Sequence, residues 1–321
     1  MKNNLAVIIP AYKSEFLRKT LESFKNQTCK DFVIYIGDDD SPYDIKSIVE
    51  EYENVLDIRY KKFDCNFGGN SLTKQWERCV ELSNEKWVWL FSDDDIASPN
   101  AIKLFYETVN QNPLSHLFKF HTKMIDGIGQ EINLFRDRTN KDYDLISPEH
   151  FINNRINNRR FRSYAVEYIM SRELYDKFKF VEFPLAWFSD DASWLRFSVE
   201  NNGIVVIKEY IYWRFSGQNI SSINNDETDL KKIEATTQYI TWLIEFKNQH
   251  SLNILDEDIL YAGIYQVDKY KKNSNDVKFN DFYDRIKLNF SKQNYIKVKV
   301  RIMLESIIEI LKVRIKKLKY E

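Results

Sequence analysis

The sequence predicts an α/β fold: a mostly parallel sheet with helices on both faces, followed by a helical C-terminal region. Short β-branched runs alternate with stretches of helical period over the first third of the chain. Strand signals vanish after about residue 227. With 43% apolar and 15% aromatic residues in a chain of 321, there is enough apolar material for a packed core.

Residues 5–9 form a compact apolar run that Pro10 ends. Over 15–26, Phe16, Leu17, Thr20, Leu21 and Phe24 share one helical face, with Ser14 in position to cap it. A second strand is expected at 32–36, a helix at 43–52 and a third strand at 56–61. A helix at 71–82, a fourth strand at 87–91 and a helix at 101–109 complete a β-α-β-α-β-α-β-α order. That order implies a mostly parallel sheet covered on both faces, in which ligands sit beyond the carboxyl ends of the strands. The middle is less regular. Residues 117–124 and 165–170 read as strands, 142–162 as polar and mixed, and 190–200 as a helix. Strands at 204–207 and 210–215 follow. A boundary near Asn224 divides the chain into 1–224 and a helical 225–321 rich in Lys, Asn and Tyr.

A formal net charge of -1 gives no global basic field for nucleic acid. Cys29, Cys65 and Cys79 make no C-x-x-C pair, a sparse set typical of a reduced cytosolic protein. No apolar run approaches the ~20 residues of a membrane span. The apolar stretch 5–11 is short for a signal peptide and has no cleavage pattern. A cytoplasmic protein is expected. The histidines at 116, 121, 150 and 250 have no H-x-x-x-H spacing, and neither G-x-G-x-x-G nor G-x-x-x-x-G-K-[ST] occurs.

Three acidic clusters carry the candidate chemistry. Asp38, Asp39 and Asp40 follow the second strand, where they suit either a nucleobase and ribose or a turn with a helix cap. Asp93, Asp94 and Asp95 follow the strongly apolar fourth strand. Adjacent carboxylates at the end of a buried strand repel one another, and a bound cation removes that cost. Oxygen ligands of this kind suit Mg2+ or Mn2+. Asp190 and Asp191 lie between Trp187 and Trp194. Ser189 capping a helix with both acids in its first turn is the simpler reading, while the tryptophans suit either a core or a sugar face. A fourth segment, Arg214-Phe215-Ser216-Gly217-Gln218-Asn219-Ile220-Ser221, is either a polar loop or a diphosphate clasp.

In this order the segments resemble the inverting family-two glycosyltransferases of bacterial polysaccharide type, with the GT-A fold and its Rossmann-like sheet. That family opens with a strand ending in Pro-x-Tyr, here Pro10-Ala11-Tyr12. Asp38-Asp39-Asp40-Ser41 stands in the place of Asp-Asp-Gly-Ser, and Asn66-Phe67-Gly68 in that of Asn-x-Gly. The Arg-Asn that usually follows is replaced by a run containing Lys74, the candidate donor-side cation. Ser92-Asp93-Asp94-Asp95 takes the place of Asp-x-Asp-Asp, and Asp190-Asp191 that of the Glu-Asp pair.

The resemblance, which covers about the first 220 residues, implies a single in-line displacement. An acceptor hydroxyl attacks the anomeric carbon of a nucleotide-diphosphate sugar, and the nucleoside diphosphate leaves. It makes Asp191 the base and Asp190 its orienting partner, and Asp95 with Asp93 the ligands of Mn2+ or Mg2+. Pro10, Tyr12, Asp38, Asp39, Lys74, Asp93, Asp94, Arg214 and Ser216 would hold the donor. The family's processive Gln-x-x-Arg-Trp motif is absent, which implies one sugar per event, on a glycan or lipid-linked acceptor in cell-surface glycan synthesis. Two alternatives stand beside it: a non-catalytic sugar-binding module of the same fold, and an aspartyl phosphohydrolase. The tail 297–321, whose end alternates basic and apolar residues over 312–319, reads either as a packing helix or as a peripheral contact with anionic membrane.

Overall fold

The computed structural model describes residues 4–132, 143–157, 162–217, 219–223, 225–271 and 279–318, with the backbone alone at 271, 279, 280 and 306–318. The chain divides into two compact units, Met1–Ile223 and Asn224–Glu321.

The first unit begins β1 (Leu5–Ala11), α1 (Leu17–Lys25), β2 (Val33–Asp38), α2 (Ile45–Glu50), β3 (Ile58–Lys62), α3 (Leu72–Val80), β4 (Trp87–Leu90). It continues with β5 (Ile96–Ala97), α4 (Ala101–Gln111), β6 (Leu117–Ile125), β7 (Leu145–Ile146), α5 (Pro148–Asn157), β8 (Tyr168–Ser171), α6 (Arg172–Phe178), α7 (Ser189–Glu200) and β9 (Ile204–Arg214). Among the described residues these strands form one nine-stranded sheet in the order β3-β2-β1-β4-β8-β6-β9-β5, with β7 on β9. The first four strands pair in parallel. Beyond them β8 runs antiparallel to both β4 and β6, and β9 runs parallel to β6.

Period-2 burial explains the layers. Leu5, Val7 and Ile9 of β1 face a core shared with Leu17, Leu21 and Phe24 of α1, Ile45, Ile48 and Val49 of α2, and Ala101, Ile102 and Phe105 of α4. Phe24 sits among Phe32, Trp89 and Phe91 at ring separations of 5.8, 5.9 and 4.9 Å. Helix α3 packs on β1, β2 and β4, and its Gln75 donates to the Gly37 carbonyl at 3.1 Å. The approach is close because position 37 has no Cβ. One built there would lie 2.2 Å from Cys79 Sγ.

Several local expectations are corrected. Helix α1 starts at Leu17 with Phe16 in the capping position and no side-chain cap, so Ser14 does not fill that role. Ser189 is inside α7, not its cap, and its hydroxyl accepts from the Phe183 N–H. The expected strands at 204–207 and 210–215 are one strand, β9, whose pairing with β6 shifts between Phe120 and His121. The polar stretch 142–162 contains α5 and β7, and its residues 158–161, with 142, lie outside the described residues.

The second unit is helical: α8 (Asp226–Gln249), α9 (Asp256–Lys271), α10 (Phe279–Lys287) and α11 (Lys292–Leu318). Asn225 caps α8 by accepting from the Thr228 N–H at 2.8 Å, and α9 packs against the other three. Among the described residues no helix is long and apolar enough to cross a membrane.

The contact of Gly37 with Cys79 yields a test of the packing. Gly37→Ala is expected to destabilise the fold by about 1–3 kcal/mol, the usual cost of overpacking. Adding Cys79→Ala should restore part of that loss, measured by denaturant unfolding of both variants. Equal stability of Gly37→Ala and wild type would contradict the close approach.

Candidate active site

Parallel register brings the first two acidic clusters to one edge. Ala11 pairs with Asp38, and Ile8 pairs with Leu90. Residues 10–13, 38–40 and 92–95 therefore leave the sheet together at its carboxyl edge, where β1 and β4 diverge in connection. A cleft of about 1140 Å³ opens there. Pro10, Tyr12, Lys13, Asp39, Asp40, Asn66, Gly68, Trp76 and Asp93–Asp95 line one part of it. Arg155, Arg162, Tyr164, Trp187, Asp190, Asp191 and Trp213 line another.

Asp38 and Asp39 are held inside the fold. Asp38 Oδ1 accepts from the Ser41 N–H at 2.8 Å and Oδ2 from the Tyr60 hydroxyl at 2.6 Å. Burial, then this bond, pushes the Tyr60 phenol up. Asp38 is buried and does not line the cleft, unlike its expected place at the donor. Asp39 does line it, and accepts from the N–H groups of Phe67 and Gly68 at 2.7 and 2.8 Å. A Cβ on Gly68 would lie 2.6 Å from Asp39 Oδ2, so glycine here lets the loop close on the carboxylate. The Arg78 guanidinium also bonds Asp39 and lies 3.9 and 4.2 Å from the Phe63 and Phe67 ring centres. Arg78, not Lys74, is the α3 cation at this loop. Lys74 is exposed and does not line the cleft.

The three acids after β4 are buried together. Asp93 Oδ2 accepts from the N–H groups of Tyr12 and Lys13 at 3.0 and 2.8 Å. Asp94 Oδ2 accepts from Lys13 Nζ at 2.9 Å. Asp95 Oδ1 accepts from the Arg214 N–H at 2.8 Å, while Oδ2 is buried with no hydrogen-bond partner. Burial, then the charge of Asp94, pushes the Asp95 carboxyl well above the usual range. Burial also raises Asp93, against the pull of Lys13. Burial opposes the Lys13 ammonium, but the charges of Asp93 and Asp94 outweigh it and raise its pKa.

Arg214 differs from expectation. Its side chain is fully buried under the triad and does not line the cleft. Nε donates to the Asp94 carbonyl at 2.8 Å and Nη1 to the Asp126 carbonyl at 2.9 Å. The guanidinium therefore braces the main chain that carries the acids, and cannot close over phosphates from there. Ser216 meets the Asn219 Oδ1 at 3.3 Å and also stands off the cleft. Gln218 lies outside the described residues.

At the other wall, α7 begins with Asp190 and Asp191. The Arg155 Nε donates to Asp191 Oδ1 at 2.7 Å and its Nη2 to Oδ2 at 2.5 Å, leaving Asp191 buried in a two-point grip. Asp190 is partly exposed to the cleft. Burial, then the charge of Asp191, raises its carboxyl to about 7. The backbone leading into the pair is strained. Leu185, Ala186 and Phe188 have φ of 59°, 52° and 68°, in the left-handed region that L side chains seldom adopt. Trp187 lines the cleft, whereas Trp194 stacks on Tyr168 at 4.5 Å inside the core.

Sequence reasoning did not find Lys13, Arg78, Arg155 or the strained 185–188. Lys13 directly follows the Pro10-Ala11-Tyr12 motif, a signal that was present. Arg155 sits in a helix of weak apolar period, and nothing local marks it.

For a metal, the donor set is oxygen only, and the partnerless buried Oδ2 of Asp95 is a ligand atom in waiting. Among the described residues no group of three or more Asp, Glu, His or Cys is placed to hold a metal ion by itself. A Mg2+ or Mn2+ ion here would take one or two carboxylates and would need its remaining ligands from substrate phosphates or water.

The comparisons with known proteins agree with this architecture. The chain is similar to the crystal structure of Staphylococcus aureus TarS 1-349 in complex with UDP-GlcNAc, at a TM-score of 0.64 and 17% identity, over 92% of this chain and 83% of that one. It is similar to the mannosyltransferase PcManGT from Pyrobaculum calidifontis in complex with GDP-Man and Mn2+, at a TM-score of 0.53 and 11% identity, over 93% and 84%. At these identities the likeness shows the fold, which is GT-A. Residues 6–177 match the sequence profile of a family described as glycosyl transferase family 2, more than half of the chain, and the chain therefore belongs to that family of glycosyltransferases.

Proposed function

We propose that the protein is an inverting glycosyltransferase that moves one sugar from a nucleotide-diphosphate donor to an acceptor hydroxyl, in cell-surface glycan synthesis. One observation carries the reading: Asp93–Asp95 and Asp190–Asp191 face the same cleft. One acidic group suits a divalent ion that would bridge to the anionic donor, and the other suits a proton transfer. The UDP-GlcNAc and GDP-Man in the similar structures support a nucleotide-sugar donor.

The donor lies along the β1–β4 edge, against Pro10, Tyr12 and Asp39. Asp95, through its partnerless Oδ2, and Asp93 beside it would hold Mn2+ or Mg2+. When bound, that ion offsets negative charge on the departing diphosphate. Arg214 keeps Asp94 and Asp95 in place through the main chain. The aromatic groups Trp187 and Trp213 present apolar faces suited to sugar rings.

The resemblance puts the proton on Asp191, but the surroundings favour Asp190. Both Asp191 oxygens are engaged by Arg155, which leaves neither free to meet an acceptor hydroxyl. Asp190 meets the cleft and titrates at about 7, close to the value that suits a general base near neutral pH. In this reading Asp190 takes the acceptor proton, while Asp191 supplies the negative charge that raises it. A non-catalytic module would not need the pair in the cleft.

A membrane contact through α11 belongs to the same reading, because acceptors on lipid carriers lie at membranes. Ile296, Val300, Met303 and Leu304 recur at helical spacing, each about half exposed. The chain adds Lys312, Arg314, Lys316, Lys317 and Lys319 further on, whose side chains lie outside the described residues. An apolar stripe with basic residues suits an anionic interface.

Asp190→Asn is expected to lower turnover by roughly 10²- to 10⁴-fold with little change in the KM for donor, and by more than Asp191→Asn does. The opposite order would return the base to Asp191. A raised carboxyl is neutral below its pKa, so wild-type turnover should rise with pH up to about 7 and level off above it. A profile flat between pH 5.5 and 8 would count against Asp190. For the membrane, the full chain should co-sediment with anionic but not neutral liposomes, less so at high salt. Val300→Glu with Met303→Glu should abolish this, and unchanged sedimentation would remove the contact.

A further inference from the structure

Lys13 is a cation that neither the core nor the proton transfer requires, yet it touches the acidic triad twice. Its main-chain N–H donates to Asp93 Oδ2 at 2.8 Å. Its ammonium lies 2.9 Å from Asp94 Oδ2 and 3.7 Å from Asp93 Oδ1. The first contact is part of the backbone and stays. The second sits at the end of a flexible stem whose side chain is 27% exposed in the cleft. An ammonium there serves the same purpose as a divalent ion, since each offsets charge on buried carboxylates, and like charges a few ångströms apart repel. Meanwhile Asp95 keeps a buried oxygen without a partner, so the triad has capacity for a cation that Lys13 does not fill.

Resting on the reading of the triad as the metal and donor site, we propose that Lys13 is a built-in counter-cation. It withholds the triad from a divalent ion until a nucleoside diphosphate arrives, and then turns onto the donor's phosphates. The arriving diphosphate brings enough negative charge for both cations, and a lysine ammonium is a good phosphate partner. Metal and donor then bind with positive coupling, and that coupling is reciprocal. Between turnovers the ammonium also offsets part of the triad's charge, at Asp93 and Asp94, without a resident metal.

The test is Mn2+ binding by the full chain, read from the loss of the free-ion electron paramagnetic resonance signal, with Mn2+ alone and with UDP or GDP added. Lys13→Met is expected to bind Mn2+ alone at least tenfold more tightly than wild type, and to gain correspondingly less from nucleotide. Lys13→Arg, which keeps the charge, should behave as wild type. If circular dichroism shows Lys13→Met unfolded, Lys13→Gln takes its place with the same expectation. Wild type that binds Mn2+ with nucleotide, beside a Lys13→Met no tighter for Mn2+ alone, overturns the role of Lys13 and leaves the donor site standing. Wild type that binds no Mn2+ even with either nucleotide overturns both.

Discussion

Three consecutive carboxylates buried at the end of β4 are the constraint around which this site is built. Burying charge without compensation is costly, and three adjacent acids add mutual repulsion. The surroundings answer with donors from separate parts of the chain. The Tyr12 and Lys13 N–H groups hold Asp93, the Lys13 ammonium holds Asp94, and the Arg214 N–H holds Asp95. Each donor is delivered by the sheet. Lys13 follows β1, and Arg214 ends β9, whose Tyr212 pairs with Ile96. The parallel half and the mixed half of the sheet therefore meet at the triad, where Asp95 Oδ2 is buried without a hydrogen-bond partner.

The second acidic pair is arranged differently. Asp190 and Asp191 stand in the first turn of α7, where the helix dipole favours negative charge. One is neutralised by Arg155, and the other is left with a raised pKa. Two adjacent acids thus acquire different properties from their neighbours alone, and the proposed division between an orienting carboxylate and a proton acceptor rests on that difference. The left-handed backbone at Leu185, Ala186 and Phe188 delivers the pair to the cleft, and a packed core on α7 retains that strain: Trp194, Leu195 and Phe197 are buried.

Much of this was legible in the chain, and the remainder was not for identifiable reasons. The fold class followed from apolar runs such as Val7-Ile8-Ile9 and Trp87-Val88-Trp89-Leu90, because strands buried on both faces read as continuous apolar segments. The family followed from short motifs in order, and the profile match confirms it. Helix α5 escaped because its polar sequence has little period, and α6 because it is seven residues long. The antiparallel β8 lies between β4 and β6 through a pairing that local sequence does not encode. At the site, residue type and position pointed to the acids as candidates, but not to which of their oxygens were already engaged. Asp38 spends both within the fold, and Arg214 spends its guanidinium on carbonyls, because a strand end can turn a side chain inward as readily as outward.

The central claim is that the triad, through Asp95, binds a nucleoside diphosphate by way of a divalent ion. Calorimetric titration of UDP and of GDP into wild type and Asp95→Asn, each with and without Mn2+, tests it most directly. The account predicts that one of the nucleotides binds wild type at least tenfold more tightly when Mn2+ is present, and that a folded Asp95→Asn loses this gain. The same Mn2+ dependence in both proteins, or none in wild type, would contradict it.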